Sequence, residues 1–97
     1  MNKHKHRKQN RLAHFRRRMG FSQRMVSVML NHRSHAALSG YEHGRIVPTL
    51  ENALRLEIAL RTPVAFLFPE LYEQLRKEVR EKEEHIRAGQ QALFVEK

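Results

Sequence analysis

The stretch GFSQRMVSVMLNHRSHAALSGYEHGR, residues 20–45, decides how this chain folds. Ser22 can cap a helix running to about Leu30, because its hydroxyl reaches the free amides of the first turn. Val26 and Leu30 form one i,i+4 pair on that helix, Met25 and Met29 a second. Asn31 tolerates the left-handed backbone at which a helix stops. Residues 31–34, Asn-His-Arg-Ser, make a short polar connection. Ser34 then predicts the cap of another helix, His35 to about His43, closed by Gly44. Leu38 and Tyr41 share one face of it at i,i+3, which leaves His35, Ala36, Ser39 and Gly40 facing outward. A narrow apolar anchor beneath small and polar residues suits a helix that is laid against something. Gly40 costs that helix ~1 kcal/mol relative to Ala; it either has no role or allows close approach of another surface.

The pattern stays helical on both sides. Upstream, Asn10 can cap a helix in which Leu12, Phe15 and Met19 fall at i, i+3, i+7, and Gly20 suits its stop. Downstream, Pro48 biases Val47 away from helix, so Ile46-Val47-Pro48 reads as an extended connector. Thr49 caps the strongest helix, Leu50–Leu60, with Leu50, Ala53, Leu54 and Ile58 on one stripe, widened by Leu56, Ala59 and Leu60. Thr62-Pro63 opens a short apolar helix, Val64–Phe68. Five short helices with no strand pattern between them predict a compact all-α domain over 10–68. Pro69 begins a different, charged helix over 69–88, in which Tyr72, Leu75, Val79, Lys82 and Ile86 follow coiled-coil spacing, interrupted at Lys82. That helix is a candidate for dimerisation. Gly89 is expected to end it, with 89–97, including Leu93-Phe94-Val95, as a frayed tail. Residues 1–9 have no apolar residue after Met1 and read as a disordered basic arm.

Ninety-seven residues fit one core and not two. No apolar run approaches the ~20 residues of a membrane span, and no apolar segment follows the charged N-terminus as a secretory signal requires. The expected place is the cytoplasm, at the nucleoid. The absence of cysteine excludes disulfides, thiolate catalysis and Cys-based zinc sites. His4 and His6 lack a third ligand, so no metal site is expected. There is no Asp, the glutamates lie almost wholly in the distal half, and no Gly-rich phosphate loop occurs. Those features predict a protein that is not an enzyme and takes no cofactor.

Charge points to the partner. The 19 Lys and Arg outnumber the 10 acids, for a net +9. Residues 1–48 hold eleven of the cations and one acid, Glu42, whereas residues 49–97 hold eight cations and nine Glu. A chain basic in one half presents a directed positive field, which suits a polyanion. Arg outnumbers Lys thirteen to six, which favours bidentate contact with phosphate or guanine.

Over Asn10 to Phe68 the chain resembles the Cro/C1-type helix-turn-helix family, the phage-repressor-like DNA-binding domains. Phe21-Ser22-Gln23 is similar to the opening of the family's first motif helix. Val26, Ser27, Leu30 and Asn31 follow its Leu-Ala, Leu-Gly pattern. Ala37-Leu38-Ser39-Gly40-Tyr41-Glu42-His43-Gly44-Arg45 resembles its Ile-Ser-x-aromatic-Glu-x-Gly-Arg stretch, and Pro48-Thr49-Leu50 the start of the helix that follows. The turn is one residue longer than usual, and His32 or Arg33 stands where the family has an apolar plug. Ser27 stands where Ala is common, and Gly40 where a long residue is.

The resemblance implies that the third helix lies in the major groove of double-stranded DNA. His35, Ala36, Ser39 and Gly40 would then read bases. Gln23, Arg33, Ser34, His43 and Arg45 would hold phosphates, with Arg24 and the arm residues Lys3, Lys5, Arg7 and Lys8 as weaker contributors. Arg16 and Glu42 would form a structural ion pair. The implied function is a sequence-specific regulator, a repressor, acting as a homodimer on a two-fold operator. An alternative is an antitoxin-like protein whose C-terminal tail binds a partner protein. A non-specific binder using charge alone is a third.

Overall fold

The computed structural model describes residues 9–96, with side chains through Gln90. The arm residues Lys3, His4, Lys5, His6, Arg7 and Lys8 lie outside the described residues, as do the side chains of Leu93, Phe94 and Val95. The secondary structure described is helical throughout: α1 (Leu12–Arg18), α2 (Gln23–Met29), α3 (Ala36–Glu42), α4 (Leu50–Leu60), α5 (Val64–Leu67) and α6 (Pro69–Glu96). None of these helices is long and apolar enough to cross a membrane.

One device closes the first three helices. The last carbonyls of a helix lack partners, and a left-handed residue just beyond the end turns the next amides back onto them. Gly20 (φ 77°) does this for α1, where Gly20 N–H donates to Arg17 O at 2.9 Å and Phe21 N–H to Arg16 O at 3.1 Å. Asn31 (φ 65°) repeats it after α2, with His32 N–H on Ser27 O at 2.9 Å. Gly44 (φ 72°) repeats it after α3, with Arg45 N–H on Gly40 O at 2.9 Å.

The starts are more varied. Ser22 Oγ accepts from Met25 N–H at 3.1 Å and Thr49 Oγ1 from Asn52 N–H at 3.2 Å, as their cap positions predict. Ser34 does not occupy the cap position of α3; His35 does, and its side chain makes no cap bond. Ser34 Oγ accepts from Ala36 N–H at 3.3 Å, two residues on. Asn10 likewise sits one residue before the cap position of α1. Its Oδ1 accepts from Leu12 N–H at 3.0 Å while its Nδ2 donates to Tyr41 O at 2.7 Å, tying the entering chain to α3.

The core is built from Leu12, Val26, Leu30, Leu38, Tyr41, Leu56, Leu60, Leu67 and Phe68. Helix α2 packs on both α3 and α4, α1 packs on α3, and α5 joins α4 to α6. The stripe expected on α4 is turned. Leu56 and Leu60 are buried together with Asn52, whereas Leu50, Leu54 and Ile58 are exposed. Asn52 earns its place by hydrogen bonding: its Nδ2 donates to Tyr41 Oη at 3.1 Å, and its Oδ1 accepts from Arg55 Nη1 at 2.9 Å. A buried tyrosine hydroxyl needs such a partner.

Buried Ser27 carries the opposite situation, since its Oγ has no hydrogen-bond partner. An unsatisfied buried hydroxyl costs about 1–3 kcal/mol. Ser27→Ala removes it, leaves little void and favours helix. We expect this variant to gain about 1 kcal/mol in urea denaturation; a loss of stability would mean that the hydroxyl is satisfied in solution.

Helix α6 does not stop at Gly89 but continues to Glu96. Glycine weakens a helix without removing its backbone bonds, and Gly89 takes no left-handed turn. The expected frayed tail is therefore helical over 89–96. Near its start α6 rests on the core through Leu71. Further along it carries ion pairs within the helix, Arg76 with Glu73, and Arg80 and Arg87 with Glu83. The hydrogen bond from Arg87, helped by its charge and by Arg80, holds the Glu83 carboxyl below the usual carboxylate range.

Candidate nucleic-acid interface

The α2–α3 pair is held by a polar frame at one end. Arg16, on α1, reaches across with its Nε 2.5 Å from Glu42 Oε2 and its Nη2 3.3 Å from Glu42 Oε1. The same guanidinium donates from Nη1 to Phe21 O at 3.0 Å, between α1 and α2. Gln23 Nε2 then donates to Glu42 Oε1 at 2.9 Å. Three helices thus meet on one carboxylate, with the side chains of Arg16 and Glu42 only 10% and 5% exposed. Pairing and full hydrogen bonding are what make a buried charge tolerable.

At the other end the connection is plugged by His32 rather than Arg33. His32 is half-buried with its ring 6.2 Å from that of Tyr41, while Arg33 is exposed. The plug is imperfect, because His32 Nε2 is buried without a partner. It nonetheless directs Arg33, Ser34, His35 and Ala36 to the surface, and all four are exposed.

Leu38 and Tyr41 anchor α3 beneath this edge, so the helix presents its first turn outward. The chain's fold is now a pair of short helices, joined by a tight turn and set on a three-helix support, with the second helix of the pair exposed at its start. The family model described as Helix-turn-helix matches residues 12–67. The chain belongs to the Cro/C1-type helix-turn-helix family. No curated protein matches it.

Membership makes this helix-turn-helix domain one of a DNA-binding kind carried by transcription regulators. On it the residues singled out in the sequence divide. His35 and Ala36 are exposed, and Ser39 is half-buried one turn on. Gly40 is not on that face. It is buried, and a Cβ there would lie 2.5 Å from Ile46 Cδ1, so the glycine admits the connector after α3 against the back of the helix. The close approach allowed by Gly40 is thus internal, and Gly40 is not an outward-facing residue.

Gln23 is half-buried and spends one amide hydrogen on Glu42. His43 Nδ1 lies 2.7 Å from Ser39 O and 3.3 Å from Ser39 Oγ. With Nδ1–H donating to that carbonyl, Nε2 has a hydrogen to offer a phosphate only when the ring is cationic. Arg24, Arg33 and Arg45 are exposed, as are Arg11, Arg17 and Arg18. Among the described residues none of these six arginines lies within ion-pair distance of a carboxylate. Their charge is uncompensated and faces solvent.

Asn10 and Asn52, which hold Tyr41 by its carbonyl and its hydroxyl, were not singled out as positioning residues from sequence. A buried tyrosine in a short helix was the available signal.

Proposed function

We propose that the chain is a sequence-specific transcription regulator, a repressor, that sets α3 in the major groove of a two-fold operator as a homodimer. The observation that carries this reading is the exposed edge Arg33–Ala36 at the start of α3, in a domain whose Arg24, Arg33 and Arg45 are exposed and uncompensated among the described residues and whose helix pair is fixed at its far end by the Arg16–Glu42–Gln23 frame. His35 can donate to or accept from a base edge, and Ala36 can meet a thymine methyl. Ser39 reads the next step if its hydroxyl turns from His43. Arg33, Ser34, Arg45 and Arg24 hold phosphates, which fix register without reading sequence. Gln23 adds its second amide hydrogen, and His43 its Nε2 when cationic.

The test is selection of bound duplexes from a random pool at near-physiological salt, with the native protein and with His35→Ala. A two-fold motif is expected from the native chain. In the variant, preference is expected to relax at one symmetric position, where a good base contact is worth about 1–3 kcal/mol. A pool without any enriched motif would overturn the reading and leave binding by charge alone.

A further inference from the structure

Helix α6 carries an apolar stripe that the DNA contacts do not use. Tyr72, Leu75, Val79 and Ile86 lie at core spacing of a heptad repeat, and each is about half exposed or more. A helix that remains alone in water has no use for such a stripe. At its base the stripe runs into an apolar groove lined by Val64, Phe68, Leu71, Tyr72 and Leu75.

We propose that α6 pairs antiparallel with α6 of a second copy of this chain, Leu75 lying opposite Ile86 and Val79 opposite Lys82. Charge and side-chain size select this partner and this direction. A parallel pair would set Lys82 against Lys82 and Gly89 against Gly89 inside the seam, and would bring Glu78 to Glu83 of the second copy. Those are repulsive or empty contacts. The antiparallel register replaces each of them. Lys82 lies across Val79 with its ammonium free to reach water, and Gly89 leaves room for the ring of Tyr72. Arg76 stands beside Glu83 of the second copy, and Glu78 beside His85.

The proposal deepens the two-fold reading of DNA in one respect. At ~1.5 Å per residue the two Pro69 residues stand about 34 Å apart along the pair, close to one turn of DNA. The pairing itself makes no use of DNA, so it is tested without it.

The chain has no cysteine, which makes cross-linking clean. Leu75→Cys and Ile86→Cys chains are prepared separately, then mixed under reducing conditions and oxidised gently. The expected result is a disulfide dimer in the mixture and none with Leu75→Cys alone, because the two copies of position 75 lie about 16 Å apart in the antiparallel pair. Sedimentation of the native chain is expected to give twice the chain mass at tens of micromolar. Val79→Glu is expected to give the monomer with its helical circular dichroism largely retained. Self-linking of Leu75→Cys, a native monomer, or a dimer indifferent to Val79→Glu would each overturn the proposal. Loss of DNA selectivity with the cross-links intact would instead count against the DNA reading alone.

Discussion

Replacing Arg16 by methionine is expected to destabilise the domain by about 3–5 kcal/mol, the usual consequence of removing one partner from a buried ion pair. Glu42 would be left nearly enclosed with the amide of Gln23 as its remaining side-chain donor. The carbonyl of Phe21 would also lose the guanidinium that it accepts from. The double variant Arg16→Met with Glu42→Leu removes both charges and is expected to recover most of that loss, since an apolar pair of similar volume often matches a buried salt bridge. Urea denaturation of the two variants checks this directly. If the double variant is as unstable as the single one, the cost lies in lost packing and not in a stranded charge. The frame joins the start of α2 to the end of α3, so the single variant should also blur operator selectivity at temperatures where it remains folded.

Leu56→Ala is expected to cost about 2–5 kcal/mol, as large-to-small changes at sealed core positions do. Leu56 is 0% exposed, on the face of α4 against which α2 packs. A domain over 10–68 has little reserve, about 3–9 kcal/mol at the usual ~0.05–0.15 kcal/mol per residue. A loss of about 3 kcal/mol would lower the melting midpoint by roughly 12–24 °C. Calorimetry of the variant is the measurement, and Leu54→Ala is its control. Leu54 carries the same side chain one half-turn away but is 46% exposed, and its truncation is expected to matter much less. Equal losses at both positions would mean that α4 presents the other face to the core.

That contrast marks where reading residues ran short. Caps and stops were legible because their chemistry is local: Ser22, Thr49, Gly20, Asn31 and Gly44 act on amides and carbonyls within a few positions of themselves. The partners of Arg16 and Glu42 were legible through the resemblance, on a background with one acid in the basic half. The buried face of α4 was not. Its apolar residues cover more than one face, and the one that is buried also carries Asn52, whose bond to the hydroxyl of Tyr41 spans two helices. Gly40 misled for a related reason. A residue without a side chain gives no sign of which way it faces, and what covers it, Ile46, comes from beyond the next turn. Gly89 misled because a glycine ends a helix only when the backbone has somewhere else to turn. On the candidate site, exposure of His35 and Ala36 followed from the narrow anchor of Leu38 and Tyr41, whereas the choice of His32 rather than Arg33 as the plug needed the packed structure.

The lengths of the helices bear on how the chain acquires its shape. With seven residues each, α1, α2 and α3 are well below the ~12–15 residues at which an isolated helix becomes even marginal in water. None of them can persist before the others have docked. Their amides should therefore exchange with solvent deuterium together, through openings that expose the whole core. Helix α6, at 28 residues, is under no such constraint. Beyond its first turns its opening follows the proposed pairing with a second copy, so its amides should exchange faster as the chain is diluted, at rates unrelated to those of the rest.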